Sequence, residues 1–145
     1  MLPEEQAREK IDKQLMSAGW DIVSRNEYVP GSASAVKEAL MQGNAESDYL
    51  LFVDDKAIAV VEAKREENPL GAKVESQAEN YARAPQPWYG LWCNGLIPLV
   101  YLANGVNVNH FFMWYGKQIF MFFGNEFLHY CGKQIFMSGG KHFFT

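Results

Sequence analysis

The sequence has few cysteines, no long apolar run and no excess of basic residues, and each shortage excludes a class of protein. Cys93 and Cys131 are too few for a disulfide framework and do not have the spacing of metal ligands. No apolar run approaches the roughly 20 residues that a membrane-spanning helix needs. The first ten residues are polar and acidic, unlike a secretory signal peptide. We therefore expect a protein of the reducing cytoplasm.

Basic residues are in the minority, because 13 lysines and arginines stand against 17 aspartates and glutamates, for a formal net charge of -4. A protein that binds nucleic acid with its own charge usually has a basic excess. A nuclease can be acidic, because its carboxylates hold a cation that supplies positive charge locally. The chain has 145 residues, of which 48% are hydrophobic, and this length and composition are typical of one globular domain.

The predicted elements follow in the order helix, strand, hairpin, helix and strands, which favours an α/β domain with a mixed central sheet and a helix on each face. The first helix, Pro3 to Ala18, has an apolar stripe at helical spacing, and Glu4 and Arg8 continue that stripe toward the N-terminus. A helical turn is expected within residues 36–41. The second helix is predicted after Asn68, which can cap it, and before a proline.

The most hydrophobic segment is a predicted hairpin between Tyr49 and Val61, with charged residues at its open end. Asp48 precedes the first strand, and Glu62 and Lys64 follow the second, projecting from one face because side chains alternate. A three-residue turn at residues 54–56 would place Asp48 opposite Glu62. A two-residue turn would send Glu62 to the other face, so the functional interpretation needs the longer turn or another of the same parity.

Two carboxylates about 5 Å apart on paired strands repel each other unless a cation lies between them. Carboxylate oxygens with open water positions suit Mg²⁺ better than zinc or copper, and Mg²⁺ lowers the pKa of a bound water. The amine of Lys64 can orient such a water and stabilise charge on a phosphate. Asp48, Glu62 and Lys64 are therefore candidates for phosphodiester hydrolysis, with charged strand ends in solvent as the alternative.

Gln77 and Tyr81 are four residues apart, so they share a face of the second predicted helix. Gln77 interrupts the apolar stripe of that helix, and a half-buried amide needs a partner. One interpretation places both residues beside the candidate metal site, in contact with Lys64 or a DNA phosphate. The other has Gln77 bonded to a backbone carbonyl and Tyr81 packed in the core.

Together these motifs resemble the PD-(D/E)xK nuclease superfamily and, more narrowly, the N-terminal nuclease domain of the R subunit of type I restriction enzymes. The superfamily pattern has an acidic residue opening a strand, Glu-x-Lys ending the next, and a helix with Gln-x-x-x-Tyr. The segment AREKIDKQLMSAGWDI also resembles the opening helix of that family, and the resemblance covers roughly residues 4–105. The matching motif positions are Asp48, Glu62-Ala63-Lys64, and Gln77 with Tyr81.

The resemblance implies a restriction-endonuclease-like fold and Mg²⁺-dependent cleavage of double-stranded DNA. Asp48 and Glu62 would bind the metal, with the carbonyl of Ala63 as an extra ligand, and Lys64 would assist the attacking water. Other partners implied by the resemblance are the motor, methylation and specificity subunits of a restriction complex. Supporting or DNA-contacting roles are implied for Gln77 and Tyr81, and a metal contact through water for Glu4 or Glu5.

The chain departs from that family in its motor motifs and its C-terminus. It has no Gly-x-x-x-x-Gly-Lys-Ser/Thr phosphate loop, so ATP would be used only through motor domains absent from this chain. We predict a nuclease core at residues 1–105 and an aromatic-rich extension of the same domain at residues 106–145. The sequence GKQIFM occurs twice there, at Gly116–Met121 and Gly132–Met137, and predicts two related strands. The apolar extension is a candidate for self-association.

Three functions fit the sequence. The first is an endonuclease domain of a type I restriction R subunit, and the second is a stand-alone PD-(D/E)xK nuclease of repair or phage origin. The third is a catalytically silent module for DNA binding or assembly. The presence of all five side chains of the motif disfavours the silent module, and none of the motifs predicts a target sequence.

Overall fold

In a computed structural model of the protein, the described residues are 2–29, 33–65, 72–91, 95–106, 108–112, 118–123, 126–131 and 134–138, with backbone alone at 72–75 and beyond 107. They form two helices and ten strands. The helices are α1 (Pro3–Ser17) and α2 (Ala72–Ala82). The strands are β1 (Asp21–Ser24), β2 (Ser34–Met41), β3 (Ala45–Val53), β4 (Lys56–Ala63), β5 (Gly90–Leu91), β6 (Leu99–Ala103), β7 (Val108–Phe112), β8 (Gln118–Phe123), β9 (Glu126–Cys131) and β10 (Gln134–Ser138).

Helix α1 has the start and stop signals that its sequence predicts. Pro3 stands in the first turn, where its missing N–H is not needed, and the carboxylate of Glu5 accepts a hydrogen bond from the N–H of Leu2 at 3.0 Å. The chain leaves the helix at Gly19, whose φ of 94° favours glycine. No helix in the described ranges is long and apolar enough to cross a membrane. The predicted buried stripe is confirmed at Ala7, Ile11 and Leu15.

Seven strands form a mixed sheet in the order β1-β2-β3-β4-β6-β7, and β5 pairs with the start of β4. β2, β3 and β4 are antiparallel neighbours, whereas β4 and β6 are parallel because α2 lies in the connection between them. One buried cluster joins the sheet to α1, and a second joins its other face to α2. The predicted α/β architecture, with a mixed sheet and a helix on each face, is confirmed.

The helical turn expected within residues 36–41 is wrong, because this segment belongs to β2. The strand pairs with β3 along most of its length, from Ser34 to Met41. Ala35 contributes to the cluster on the α1 side and Val36 to the cluster on the α2 side, as alternating strand residues do. Pairing with the hydrophobic β3 therefore overrides a local sequence that is compatible with a helix.

The hairpin between β3 and β4 has the shorter of the two turns considered, and not the longer one that the functional interpretation would need by itself. Val53 pairs with Lys56, so the turn consists of Asp54 and Asp55 and not of the three residues 54–56. Both aspartates have positive φ, 50° and 64°, as in the type I′ turns that join twisted strands. Taken alone, this turn would put Asp48 and Glu62 on opposite faces.

A β-bulge in β4 restores the parity that the short turn removes. The register shifts by one residue at Ile58, so that Val61 lies opposite Tyr49. The next opposed positions are Asp48 and Glu62, whose side chains therefore project from the same face. The bulge also directs Ile58 to the α1 side, whereas regular alternation would place it on the α2 side with Val60.

The described strands beyond residue 112 form a separate three-stranded sheet in the order β10-β9-β8. The described residues of both GKQIFM copies lie in strands, as predicted, and these two strands flank β9 in the same register. Ile119 and Ile135, which are equivalent in the two copies, both lie opposite Tyr130. β7, at residues 108–112, pairs with β6 in the main sheet. The proposed boundary at residue 105 stays a prediction.

Among the glycines whose surroundings the structure describes, Gly90 is predicted to be the one whose replacement destabilises the fold most directly through contact. A Cβ at Gly90 would lie 2.3 Å from the carbonyl oxygen of Asp55, where β5 pairs with the start of β4. Gly90→Ala should lower the free energy of unfolding by about 2–3 kcal/mol, measured by urea denaturation.

Gly43→Ala is the matched control, because Gly43 has a φ of 78° but nothing within 4 Å of an added Cβ. Gly43→Ala should lower the free energy of unfolding by about 1 kcal/mol, through backbone strain alone. A smaller loss for Gly90→Ala than for Gly43→Ala would contradict the predicted contact.

Candidate functional site

Asp48 and Glu62 lie side by side at the open end of the β3–β4 hairpin. The N–H of Ala63 donates to Asp48 Oδ2 at 2.7 Å, and the N–H of Asp48 lies 3.4 Å from Glu62 Oε1. Each carboxylate is thus oriented by the backbone of the neighbouring strand. The structure therefore brings the two predicted metal-binding carboxylates together.

Of the two carboxyl groups, that of Glu62 is difficult to ionise in the folded protein. Glu62 is 2% exposed. Burial, which is the largest cause, and the neighbouring negative charge of Asp48 together raise the pKa of Glu62 to about 8, while Lys64 opposes the shift. Without another cation, Glu62 therefore keeps a proton at neutral pH, whereas metal ligation would require its charged form.

Arg8, on α1, is a member of this cluster that was not among the predicted site residues. Its Nη2 donates to Asp48 Oδ1, and its Nη1 lies 3.5 Å from Glu38 Oε1. The hydroxyl of Tyr49 lies 3.3 Å from the carbonyl oxygen of Arg8, which fixes this turn of α1 against β3. The sequence signal that could have identified Arg8 is its position, because this charged residue continues the apolar stripe of α1.

Lys64, Gln77 and Tyr81 form a chain of hydrogen bonds between β4 and α2. Lys64 Nζ donates to Gln77 Oε1 at 3.2 Å, and Gln77 Nε2 donates to Tyr81 Oη at 3.1 Å. The predicted contact with Lys64 is present, but Gln77 is exposed, so the expectation of a half-buried amide is wrong. Tyr81 also packs against the α2-side cluster beside Ala78. The cap predicted at residue 68 lies outside the described residues.

The remaining candidate residues have contacts of their own. Glu4 forms an ion pair with Arg65 at 3.6 Å, which brings it near the end of β4, whereas Glu5 is engaged at the start of α1. Ala63 contributes its N–H to Asp48, and the role of its carbonyl stays a prediction. Within the described residues, no group of three or more His, Cys, Asp or Glu side chains forms a metal cluster. A metal held by Asp48 and Glu62 would therefore need backbone oxygens or waters as well.

A cavity of about 440 Å³ lies near the hairpin turn, at the other end of β3 and β4 from Asp48. Trp88, although large and apolar, does not fill the core, because its side chain is 70% exposed at the edge of this cavity. Tyr89 packs edge-on against Phe52, with ring centroids 5.5 Å apart. The lining includes Tyr28, Phe52, Trp88, Tyr89, Arg25 and Asp55.

The mixed sheet and its covering helices define an α/β domain with its candidate site at the ends of the central strands. Residues 25–111, more than half of the chain, match the family described as the type I restriction enzyme EcoKI endonuclease subunit second domain. The chain belongs to this family, and the resemblance to the R subunit of type I restriction enzymes is thereby confirmed. No curated protein and no solved structure matches the chain. The matched region contains Asp48, Glu62, Lys64, Gln77 and Tyr81 but begins after α1.

The raised pKa of Glu62 predicts how stability depends on pH in metal-free protein. Between pH 4.5 and about 8 the folded protein keeps a proton that the unfolded chain has released, so the free energy of unfolding falls as pH rises. Glu62→Gln stays neutral and should remove this fall. Urea denaturation in EDTA should find the variant more stable than the parent by about 1–3 kcal/mol at pH 9, and closer to it at pH 5.

Glu79→Gln serves as the control, because Glu79 pairs with Arg83 on the exposed face of α2. Glu79→Gln should change the free energy of unfolding by less than about 0.5 kcal/mol at both pH values. A difference between Glu62→Gln and parent that does not change with pH would argue against the raised pKa.

Proposed function

We propose that this chain is a Mg²⁺-dependent DNA endonuclease domain of a type I restriction enzyme, which hydrolyses phosphodiester bonds. The observation that carries the proposal is that Asp48 and Glu62 lie side by side, with the charge of Lys64 acting on Glu62, in a chain that belongs to an endonuclease-subunit family. The spacing of these residues in the sequence suggested the chemistry, and their proximity in the fold supports it. Their catalytic roles are part of the proposal.

Two observations support a divalent cation at Asp48 and Glu62. Their oxygens are ligands that Mg²⁺ prefers. The pair also attracts positive charge, since the guanidinium of Arg8 bonds to Asp48. The pKa of the buried Glu62 is raised even so, which means that Arg8 does not offset the negative charge of both carboxylates. Asp48 and Glu62 would hold the ion, with the carbonyl of Ala63 as a further candidate and Glu4 as a candidate through water. Such an ion lowers the pKa of a bound water and offsets charge on a phosphate.

Lys64 would assist the attacking water and stabilise the charge that builds up on the phosphate. Its ammonium group is oriented by Gln77 Oε1, and Gln77 is in turn bonded to Tyr81. We therefore assign Gln77 and Tyr81 as positioning residues. Because Gln77 is exposed, it can also reach a DNA phosphate.

Double-stranded DNA is the proposed substrate, and the proposed partners are the motor, methylation and specificity subunits of a restriction complex. The family name, which refers to the endonuclease subunit of a type I restriction enzyme, supports both. ATP would be used by motor domains outside this chain, and the proposed compartment is the cytoplasm. The aromatic C-terminal strands stay a candidate for self-association.

Substitution of the charged cluster is the direct test of this function. Asp48→Asn and Lys64→Ala should each reduce Mg²⁺-dependent nicking of supercoiled plasmid by about 100-fold or more, because the first removes a carboxylate proposed to hold the metal and the second removes the cation proposed to stabilise charge on the phosphate. Lys13→Ala, at an exposed position of α1, should leave nicking unchanged. Calorimetric titration with Mn²⁺ gives a second measurement, in which Asp48→Asn should lose binding. Equal nicking and equal Mn²⁺ binding by parent and Asp48→Asn would refute the assigned site.

The hydrogen-bond chain predicts graded effects on cleavage. Gln77→Ala leaves Lys64 without its described acceptor and should reduce the nicking rate by about 10-fold, whereas Tyr81→Phe keeps the ring and should cost about 2–5-fold. Both variants should bind Mn²⁺ like the parent, since neither touches the carboxylates. Loss of Mn²⁺ binding in either variant would contradict a purely positioning role.

A further inference from the structure

We propose that Arg8 is the resident counter-cation of the candidate metal site, which moves from Asp48 to Glu38 when a divalent cation binds. The inference rests on the proposed function, because it concerns the same carboxylates. It assigns Arg8, from a helix outside the matched family region, as a positioning residue that weakens metal binding until the exchange occurs.

Arg8 and a divalent cation would compete for one oxygen atom of Asp48. Asp48 Oδ2 already accepts the N–H of Ala63 at 2.7 Å, so Oδ1 is the oxygen that the backbone leaves more open to a cation. Arg8 Nη2 donates to that same Oδ1. A divalent ion on Oδ1 would also place two like charges side by side, which favours departure of the guanidinium.

Glu38 provides a second carboxylate for Arg8 within reach. Glu38 Oε1 lies 3.5 Å from Arg8 Nη1 while Nη2 is bonded to Asp48, so one guanidinium spans both acids. The side chain of Glu38 is 60% exposed, compared with 16% for Asp48. Arg8 can therefore give up Asp48 without losing every anionic partner.

The backbone of β2 is distorted at the residue that provides this second carboxylate. Glu38 lies level with Asp48, between the pairs that Lys37 and Ala39 form with β3, and its φ is 52°. A positive φ at a residue other than glycine costs about 1–2 kcal/mol and marks functional positions more often than regular strand. The distortion changes the alternation of β2, since Val36 and Ala39 both join the α2-side cluster.

The exchange requires movement of one side chain and not of α1. The hydroxyl of Tyr49 donates to Asp12 Oδ1 on α1 and lies 3.3 Å from the carbonyl oxygen of Arg8, one turn earlier in the same helix. Asp12 is in turn paired with Lys37 at 2.8 Å. The helix is thus anchored to the sheet, while the guanidinium, 38% exposed, lies at the border with solvent.

Mn²⁺ titration of the whole, EDTA-treated chain tests the exchange without DNA. Arg8→Gln removes the competing charge, so it should bind Mn²⁺ about 10-fold more tightly than the parent. Glu38→Gln removes the second acceptor and should bind about 3-fold more weakly, because Arg8 then loses its alternative partner. Metal-free Arg8→Gln should also unfold at a lower temperature than the parent, and Mn²⁺ should narrow that difference.

Arg25→Gln is the matched control, because Arg25 contacts the carbonyl of Glu38 and the carboxylate of Glu46 but is not bonded to Asp48. Its Mn²⁺ affinity should equal that of the parent. Equal or weaker binding by Arg8→Gln overturns the exchange alone and leaves the metal site in place. Absence of Mn²⁺ binding in every variant overturns the metal site and the exchange together. If Arg8→Gln does not fold, the affinity of Glu38→Gln decides, and a value at or above that of the parent overturns the exchange.

Discussion

The number of residues in β4 between the hairpin turn and Glu62 is the constraint on which the candidate site depends. Side chains alternate along a strand, so one residue more or less moves Glu62 to the opposite face of the sheet. The turn at Asp54 and Asp55 gives the wrong parity, and the bulge at Ile58 corrects it. Neither feature alone would bring Asp48 and Glu62 together. Turn and bulge therefore act as one unit, and the charged cluster is a consequence of both.

Burial gives this geometry its chemical character. A carboxyl on the outside of the sheet would simply be ionised, whereas Glu62 lies beside Asp48 in a place that water hardly reaches. Each of the two helices then supplies a cationic group or its support. Arg8 comes from α1, and Lys64 is oriented by Gln77 of α2. The mixed sheet with a helix on each face is thus the arrangement that assembles opposite charges around one carboxylate pair.

Two departures from local sequence preference have the same physical origin. The segment 36–41 has helix-compatible residues, yet it is a strand because β3 offers a paired partner and two buried faces. Trp88 is large and apolar, yet it is exposed beside a cavity. Local sequence describes what a residue prefers, whereas pairing and packing decide which preference is satisfied.

The sequence by itself determined the class of fold, the identity of the charged and polar residues, and the family to which they belong. Periodicity located α1, the hairpin and α2. Asp48, Glu62 and Lys64, which were selected by their spacing in the sequence, lie together in the fold. Only the tertiary structure decided the parity of the hairpin, the proton on Glu62 and the place of Arg8. The physical reason is that strand register, desolvation and contacts across 40 residues depend on which surfaces meet, and no local pattern encodes that.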